Sequence, residues 1–160
     1  MRTIKFRGKD SYSGEWFYGN LFVNDTRGHT HISTPDRGCF RIAPDTVGQF
    51  TGMTDEEGRE VFEGDILEAD YKYDRLGYNG GVDPDNDCIC YGVVEFDNDT
   101  LQWVLNVHKA ESPIREQIKE EDCSLVPLCI FGHEYGYANP NVKVIGNRYN
   151  DPKLLKGGEK

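Results

Sequence analysis

The chain has no apolar run approaching the roughly 20 residues that a membrane-spanning helix needs. Its opening, MRTIKFRG, lacks the apolar core of a secretory signal. A soluble cytoplasmic protein with no membrane association is therefore expected. Leucine and alanine are scarce, whereas eight Phe, nine Tyr and two Trp are present. That bias favours strands over helices. Sequence signatures of catalysis are missing too. No G-x-x-x-x-G-K-[ST] cradles a phosphate, and no Ser, Cys or Thr sits in a nucleophile elbow. His133-Glu134 continues into Tyr135-Gly136 and so fails to make H-E-x-x-H. The expectation is a non-enzymatic protein without a cofactor.

Positive charge is also in short supply, with 18 Lys and Arg against 28 Asp and Glu, net −10. The imbalance is local. Residues 1–62 carry 8 basic and 9 acidic side chains, residues 63–135 carry 5 and 17, and residues 136–160 carry 5 and 2. Neutralising a phosphate backbone takes a basic patch, and this distribution disfavours nucleic acid as a partner. The acidic middle suits a basic protein partner, or simply a solvated surface that keeps the chain soluble.

Five cysteines, Cys39, Cys88, Cys90, Cys123 and Cys129, form an odd count without regular spacing. Reduced thiols are expected. Cys88 and Cys90 share a strand face, where thiols pack as small hydrophobes. His29-x-His31 also places two imidazoles on one strand face, with Cys39 across the following hairpin. These three come nearest to a metal site, but zinc asks for a fuller ligand set, and no metal centre is expected. Asp83-Pro84-Asp85-Asn86-Asp87 begins like a calcium loop and then fails, with Cys88 at the glycine position and Val94 where a bidentate Glu is needed.

Along the chain, alternation and turn residues predict strands at Ile4–Arg7, Trp16–Val23, His29–Ser33 and Cys39–Ala43, then through Val47–Leu67. Glycines 48, 52, 58 and 64 punctuate this last stretch, and Asp55-Glu56-Glu57 reads as a hydrated turn tip. Strands follow at Ile66–Tyr71, Ile89–Phe96, Leu101–Val107, Leu125–Phe131 and Val142–Ile145. Ser112-Pro113 opens a short helix with Ile114 and Ile118 on one face, and Asp151-Pro152 starts a last helical turn at Lys153–Leu155. Short strands with turns every 8–12 residues indicate a mainly β protein. The division expected is an N-terminal β region over 1–62, a small barrel over 63–150 closed by Val142–Ile145, and a tail over 151–160.

The loop Lys72–Asp87, KYDRLGYNGGVDPDND, has a length that is usually either mobile or functional. Tyrosine offers rigid amphipathic area at binding surfaces, so Tyr71, Tyr73 and Tyr78 with Asp83, Asp85 and Asp87 form the candidate partner-binding set. Tyr91, Tyr135 and Tyr137 extend the aromatic group.

Three blocks carry a family resemblance: VGQFTGMTDEEGREVFEGDIL at Val47–Leu67, the opening IKFRG with GEWFYGNL, and the C-terminal VKVIGNRYNDPKLL. Together they resemble the YopX family of phage and prophage proteins. The resemblance implies a mainly β fold with an SH3-like small barrel, one or two short helices, and a bacterial-host setting. It implies no reaction. The expected role is a protein-binding or regulatory module acting on a host or phage protein. The alternatives are a self-assembling structural protein, in which exposed strands such as His29–Ser33 pair between subunits, a nucleic-acid-binding barrel, or an acidic DNA mimic.

Overall fold

The computed structural model describes residues 3–24, 28–72, 87–111, 125–128 and 142–155. These residues form two antiparallel sheets, and the chain divides into two compact units. The first unit holds Met1–Met53 and Glu60–Glu63, and the second holds Thr54–Arg59 and the chain from Gly64 on.

In the first unit the strands are β1 (Phe6–Lys9), β2 (Trp16–Asn24), β3 (His29–Thr34), β4 (Gly38–Ile42), β5 (Gly48–Thr54) and β6 (Glu60–Phe62), in the spatial order β4-β3-β2-β1-β5-β6. Turn chemistry sets the first hairpin. Asp10 accepts the amides of Tyr12 and Ser13 through one carboxylate oxygen, and Gly14 takes a positive φ, so Lys9 pairs with Trp16. The alternation read from the sequence then gives one apolar face. Phe17, Ile32 and Ile42 are its buried centre, with Phe6, Leu21, Phe40 and Val47 packed around them. Fully burying each such side chain contributes on the order of 2 kcal/mol. The Phe17 and Phe40 rings stack at 3.7 Å, and the Arg37 guanidinium lies 5.0 Å from the Phe17 ring.

One expectation fails here. His29–Ser33 is not an open edge, because β3 pairs with β2 on one side and β4 on the other. The edges of this sheet are β4 and β6. Even β4 is partly covered, since Asp10 bridges to Ile42 and the Ser11 amide donates to the Arg41 carbonyl.

In the second unit β7 (Asp65–Lys72), β8 (Asp87–Asp97) and β9 (Gln102–Glu111) run as a meander, β10 (Leu125–Pro127) follows on β9, and β11 (Val142–Asn147) returns to pair with β7. The turn Asp97-Asn98-Asp99-Thr100 is built as the sequence suggested: the Asp97 carboxylate accepts the Asp99 amide and the Thr100 hydroxyl. Leu67, Ala69, Cys90, Val94, Leu105 and Val142 are fully or almost fully buried on one face, and Ile66, Val93 and Val104 are buried on the other. Burial on both faces explains why this sheet reads less as clean alternation than as near-continuous apolar strands. Among the described residues the sheet is open, with β10 and β11 as its edges, so the closed barrel expected over 63–150 is not seen. Helical structure among the described residues is limited to 3-10 turns, Pro44–Thr46 ahead of β5 and Pro152–Leu155 at the end. The helix expected from Ser112 lies outside the described residues. No described helix is long and apolar enough to cross a membrane.

Candidate functional site

Much of the sequence's candidate set falls outside the described residues: Tyr73, Tyr78, Asp83 and Asp85 belong there. Tyr71 and Asp87 are placed by their backbone. Tyr71 pairs with Cys88 and Lys72 with Asp87, so the two ends of the Lys72–Asp87 connection lie side by side at one end of the β7–β8 hairpin.

Beneath that end lies a compact polar cluster. Tyr91 of β8 is opposite Glu68 of β7 and Lys109 of β9, and Glu111 lies two residues further along β9. The Lys109 ammonium lies 4.7 Å from the Tyr91 ring centre and donates to Glu111 Oε1 at 2.8 Å. Burial pushes the Tyr91 hydroxyl above its ordinary pKa, and the carboxylates of Glu68 and Glu111, which accept its proton in hydrogen bonds, push it further. Glu111 is held below the usual carboxylate range by its bond to Lys109 and that residue's charge. The arrangement is a phenol ringed by two carboxylates and one ammonium, suited to holding a cationic group. The sequence singled out Tyr91 through tyrosine density alone. Glu68, Lys109 and Glu111 went unnoticed because only cross-strand register brings them together.

His29, His31 and Cys39 share one face of the first sheet, as the period-two spacing required. His29 and His31 have ring centres 6.3 Å apart, and the His31 ring lies 5.6 Å from Phe22. Cys39 is exposed and opposite Ser33, while His31 is opposite Arg41. Among the described residues no group of three His, Cys, Asp or Glu side chains is gathered to hold a metal ion. Cys90 is fully buried and pairs with Ala69 and Ala110, small neighbours that suit a thiol packing as a hydrophobe.

The face of the first sheet that carries His29 and His31 holds a second pattern. Lys5, Arg7 and Lys9 alternate along one strand, and Trp16 and Tyr18 alternate along the next. The Arg7 guanidinium lies 4.9 Å from the Trp16 ring and 5.0 Å from Phe62, and it donates to the Glu63 carbonyl. Lys5 sits 5.7 Å from Tyr18 and pairs with Glu60, and Lys9 lies 5.5 Å from Trp16. The period-two spacing of the basic triplet and of the aromatic pair was present in the sequence as a signal.

The turn tip Asp55-Glu56-Glu57 is corrected by the structure. Asp55 is buried rather than hydrated. Its Oδ1 accepts the amides of Glu57 and Arg59 at 3.0 and 2.8 Å, and its Oδ2 accepts Arg59 Nε at 2.7 Å and the Val144 amide of β11 at 3.1 Å. Burial alone would raise its pKa, but the Val144 and Arg59 amides and the Arg59 guanidinium outweigh it and the net shift is downward. Beside it the Glu56 amide donates to the Val142 carbonyl, and Lys143 pairs with Glu57 at 3.1 Å. This is a clasp between a hairpin tip and β11. Farther along the second unit, an open pocket of about 350 Å³ is lined by Glu95–Asp99, Val104 and Leu125. Glu95 there is engaged by Arg148 at 3.0 Å and by Asn106 at 2.9 Å.

The crystal structure of protein EF1440 from Enterococcus faecalis is similar over 98% of this chain and 100% of that one, at 19% identity and a TM-score of 0.46. No curated protein matches the chain. The model of the YopX protein family matches residues 5–156, which hold all three sequence blocks except Ile4 of the first, together with the six-stranded sheet and the Asp55 clasp. The chain belongs to the YopX protein family.

Proposed function

We propose that the protein is a non-enzymatic binding module of phage or prophage origin that holds a basic segment of a host or phage protein on its second sheet. The observation that supports this most directly is the Tyr91 cluster, in which Glu68 and Glu111 flank an aromatic ring already occupied by one ammonium, that of Lys109. A partner's lysine or arginine finds the same ring and carboxylates there. The net charge of residues 63–135 favours a cationic approach. Tyr71, Tyr73, Tyr78, Asp83, Asp85 and Asp87 lie on or beside the Lys72–Asp87 connection in the chain, whose two ends pair at the end of the β7–β8 hairpin. The finer fold that accompanies the reading is an SH3-like barrel, supported by a meander whose last strand, β11, returns to the first, β7. Small barrels with aromatic-lined grooves bind extended segments. The setting is the bacterial cytoplasm, and no cofactor takes part.

The test is recovery of tagged protein from its bacterial host beside a Glu68→Gln, Glu111→Gln double variant. A stoichiometric basic protein retained by the first and lost by the second is the expected result. No such protein, or equal retention by both, overturns the reading.

A further inference from the structure

The first unit carries a surface of the opposite character. Strands β1 to β4 contain none of the chain's 28 carboxylates, although acidic residues flank them on the turns. Directly opposed residues of an antiparallel pair share a face, so the register places Arg7 with Tyr18, Lys9 with Trp16, Phe22 with His31 and His31 with Arg41 on one side. Phe22 is 51% exposed and Tyr18 42%, large apolar rings left in solvent in the middle of a sheet. Arg41 is exposed and has no carboxylate partner among the described residues. Lys5 and Lys9 flank the rings on the β1 side, and Arg41 flanks them on the β4 side.

We infer that this face is a stacking platform for single-stranded nucleic acid. Such a ligand needs two kinds of contact, aromatic faces for its bases and cations for its phosphates. Both are here, in alternate rows. Tyr18 and Phe22 are four residues apart on β2, about 13 Å along a strand, far enough for separate bases. The Phe22–His31 pair offers a second ring beside the first. An acidic peptide would meet Arg41 but would leave the exposed rings unused. A duplex presents its phosphates while hiding the faces of its bases. The overall charge of −10 works against any polyanion, so binding is weak at physiological salt and becomes measurable at low salt. This inference concerns a different unit from the Tyr91 cluster and stands or falls apart from it.

Fluorescence anisotropy of a labelled 12-nucleotide oligo(dT) against the full chain at low salt tests it. The wild type is expected to bind the single strand in preference to a duplex of the same length. Phe22→Ala is expected to weaken binding by roughly five- to hundredfold, the range for losing one base–aromatic stack, while Phe22→Tyr retains most of it. Arg41→Gln is expected to make the slope of log affinity against log salt shallower by about 0.7, the share of one phosphate contact on a single strand. Circular-dichroism melts of each variant separate loss of binding from loss of fold; because Phe22 is half exposed, Phe22→Ala is expected to fold. No binding by the folded wild type, equal binding of the duplex, equal binding of a polyglutamate competitor, or indifference to folded Phe22→Ala overturns the inference.

Discussion

Asp55 shows how one side chain can settle a local structure that its neighbours in the sequence disguise. It sits in an acidic run, yet its carboxylate is buried under three backbone amides and the Arg59 guanidinium. Asparagine is nearly the same shape but lacks the charge, and its amide group must face donors. Asp55→Asn is therefore expected to cost about 3 kcal/mol at pH 7, the scale for breaking a buried, hydrogen-bonded charge pair, as read from urea denaturation. The pH dependence follows from the lowered pKa. A carboxyl depressed in the folded state contributes stability above its unfolded value, ordinarily about 3.9, and loses that contribution as pH falls through the folded value. The gap between wild type and Asp55→Asn is thus expected to be widest near neutrality and to narrow below about pH 4. A constant gap across that range would show that the charge is not what matters. Tyr91 gives the opposite case. Burial and two carboxylates raise its pKa, so Glu68→Gln with Glu111→Gln is expected to bring its titration back toward 10. Ultraviolet difference spectra, with Tyr91→Phe to assign the signal, check this.

At the scale of elements, the strands were largely legible because hydrophobic alternation and turn residues report directly on local backbone. β1 to β4 begin and end within one or two residues of their expected places, and turns form at Gly58 and Gly64 as indicated, whereas Gly48 and Gly52, also expected to mark turns, lie within β5. Gly64 shows why: its φ of +82° is a conformation that glycine adopts without strain. What the sequence concealed lies across strands. Cys90 and Ala110 are opposite, yet Gly92 faces Val107, because a bulge after Tyr91 shifts the register by one. No local pattern announces that shift, and without it the grouping of Tyr91, Lys109 and Glu111 cannot be foreseen. The burial of Asp55 was illegible for the same reason, since one of its donors is Val144, 89 residues away. Gly92 itself is required by close approach. A Cβ there would run into the Asn106 carbonyl and the Leu105 side chain, of which the carbonyl is fixed by the sheet. Gly92→Ala is expected to destabilise by about 1–3 kcal/mol through overpacking, whereas Gly58→Ala, with open space around it, pays only for its positive φ. Thermal melts of the two variants should rank in that order.

For the molecule as a whole, the path of the chain matters more than the order of its sequence blocks. It runs through the first unit to Met53, supplies Thr54–Arg59 to the second, returns for Glu60–Glu63, and enters the second again at Gly64. The second unit is therefore assembled from two pieces, and the smaller one brings the Asp55 carboxylate and the Glu56 amide to β11. Without that piece, the Val144 amide loses its acceptor and the Val142 carbonyl its donor. β11 is an edge strand, held on its other side by β7. A strand at an edge has no further neighbour to compensate. A fragment of residues 63–160 is accordingly expected to melt at lower temperature and less cooperatively than one of residues 54–160, although the added nine residues contribute little apolar area beyond Val61 and Phe62. Circular-dichroism melts of the two fragments decide the point, and Asp55→Asn in the longer one separates the clasp from the extra length. If the clasp is the cause, that substitution brings the longer fragment down toward the shorter. If the two fragments melt alike, the second unit is complete from Gly64 on and the hairpin tip merely rests against it.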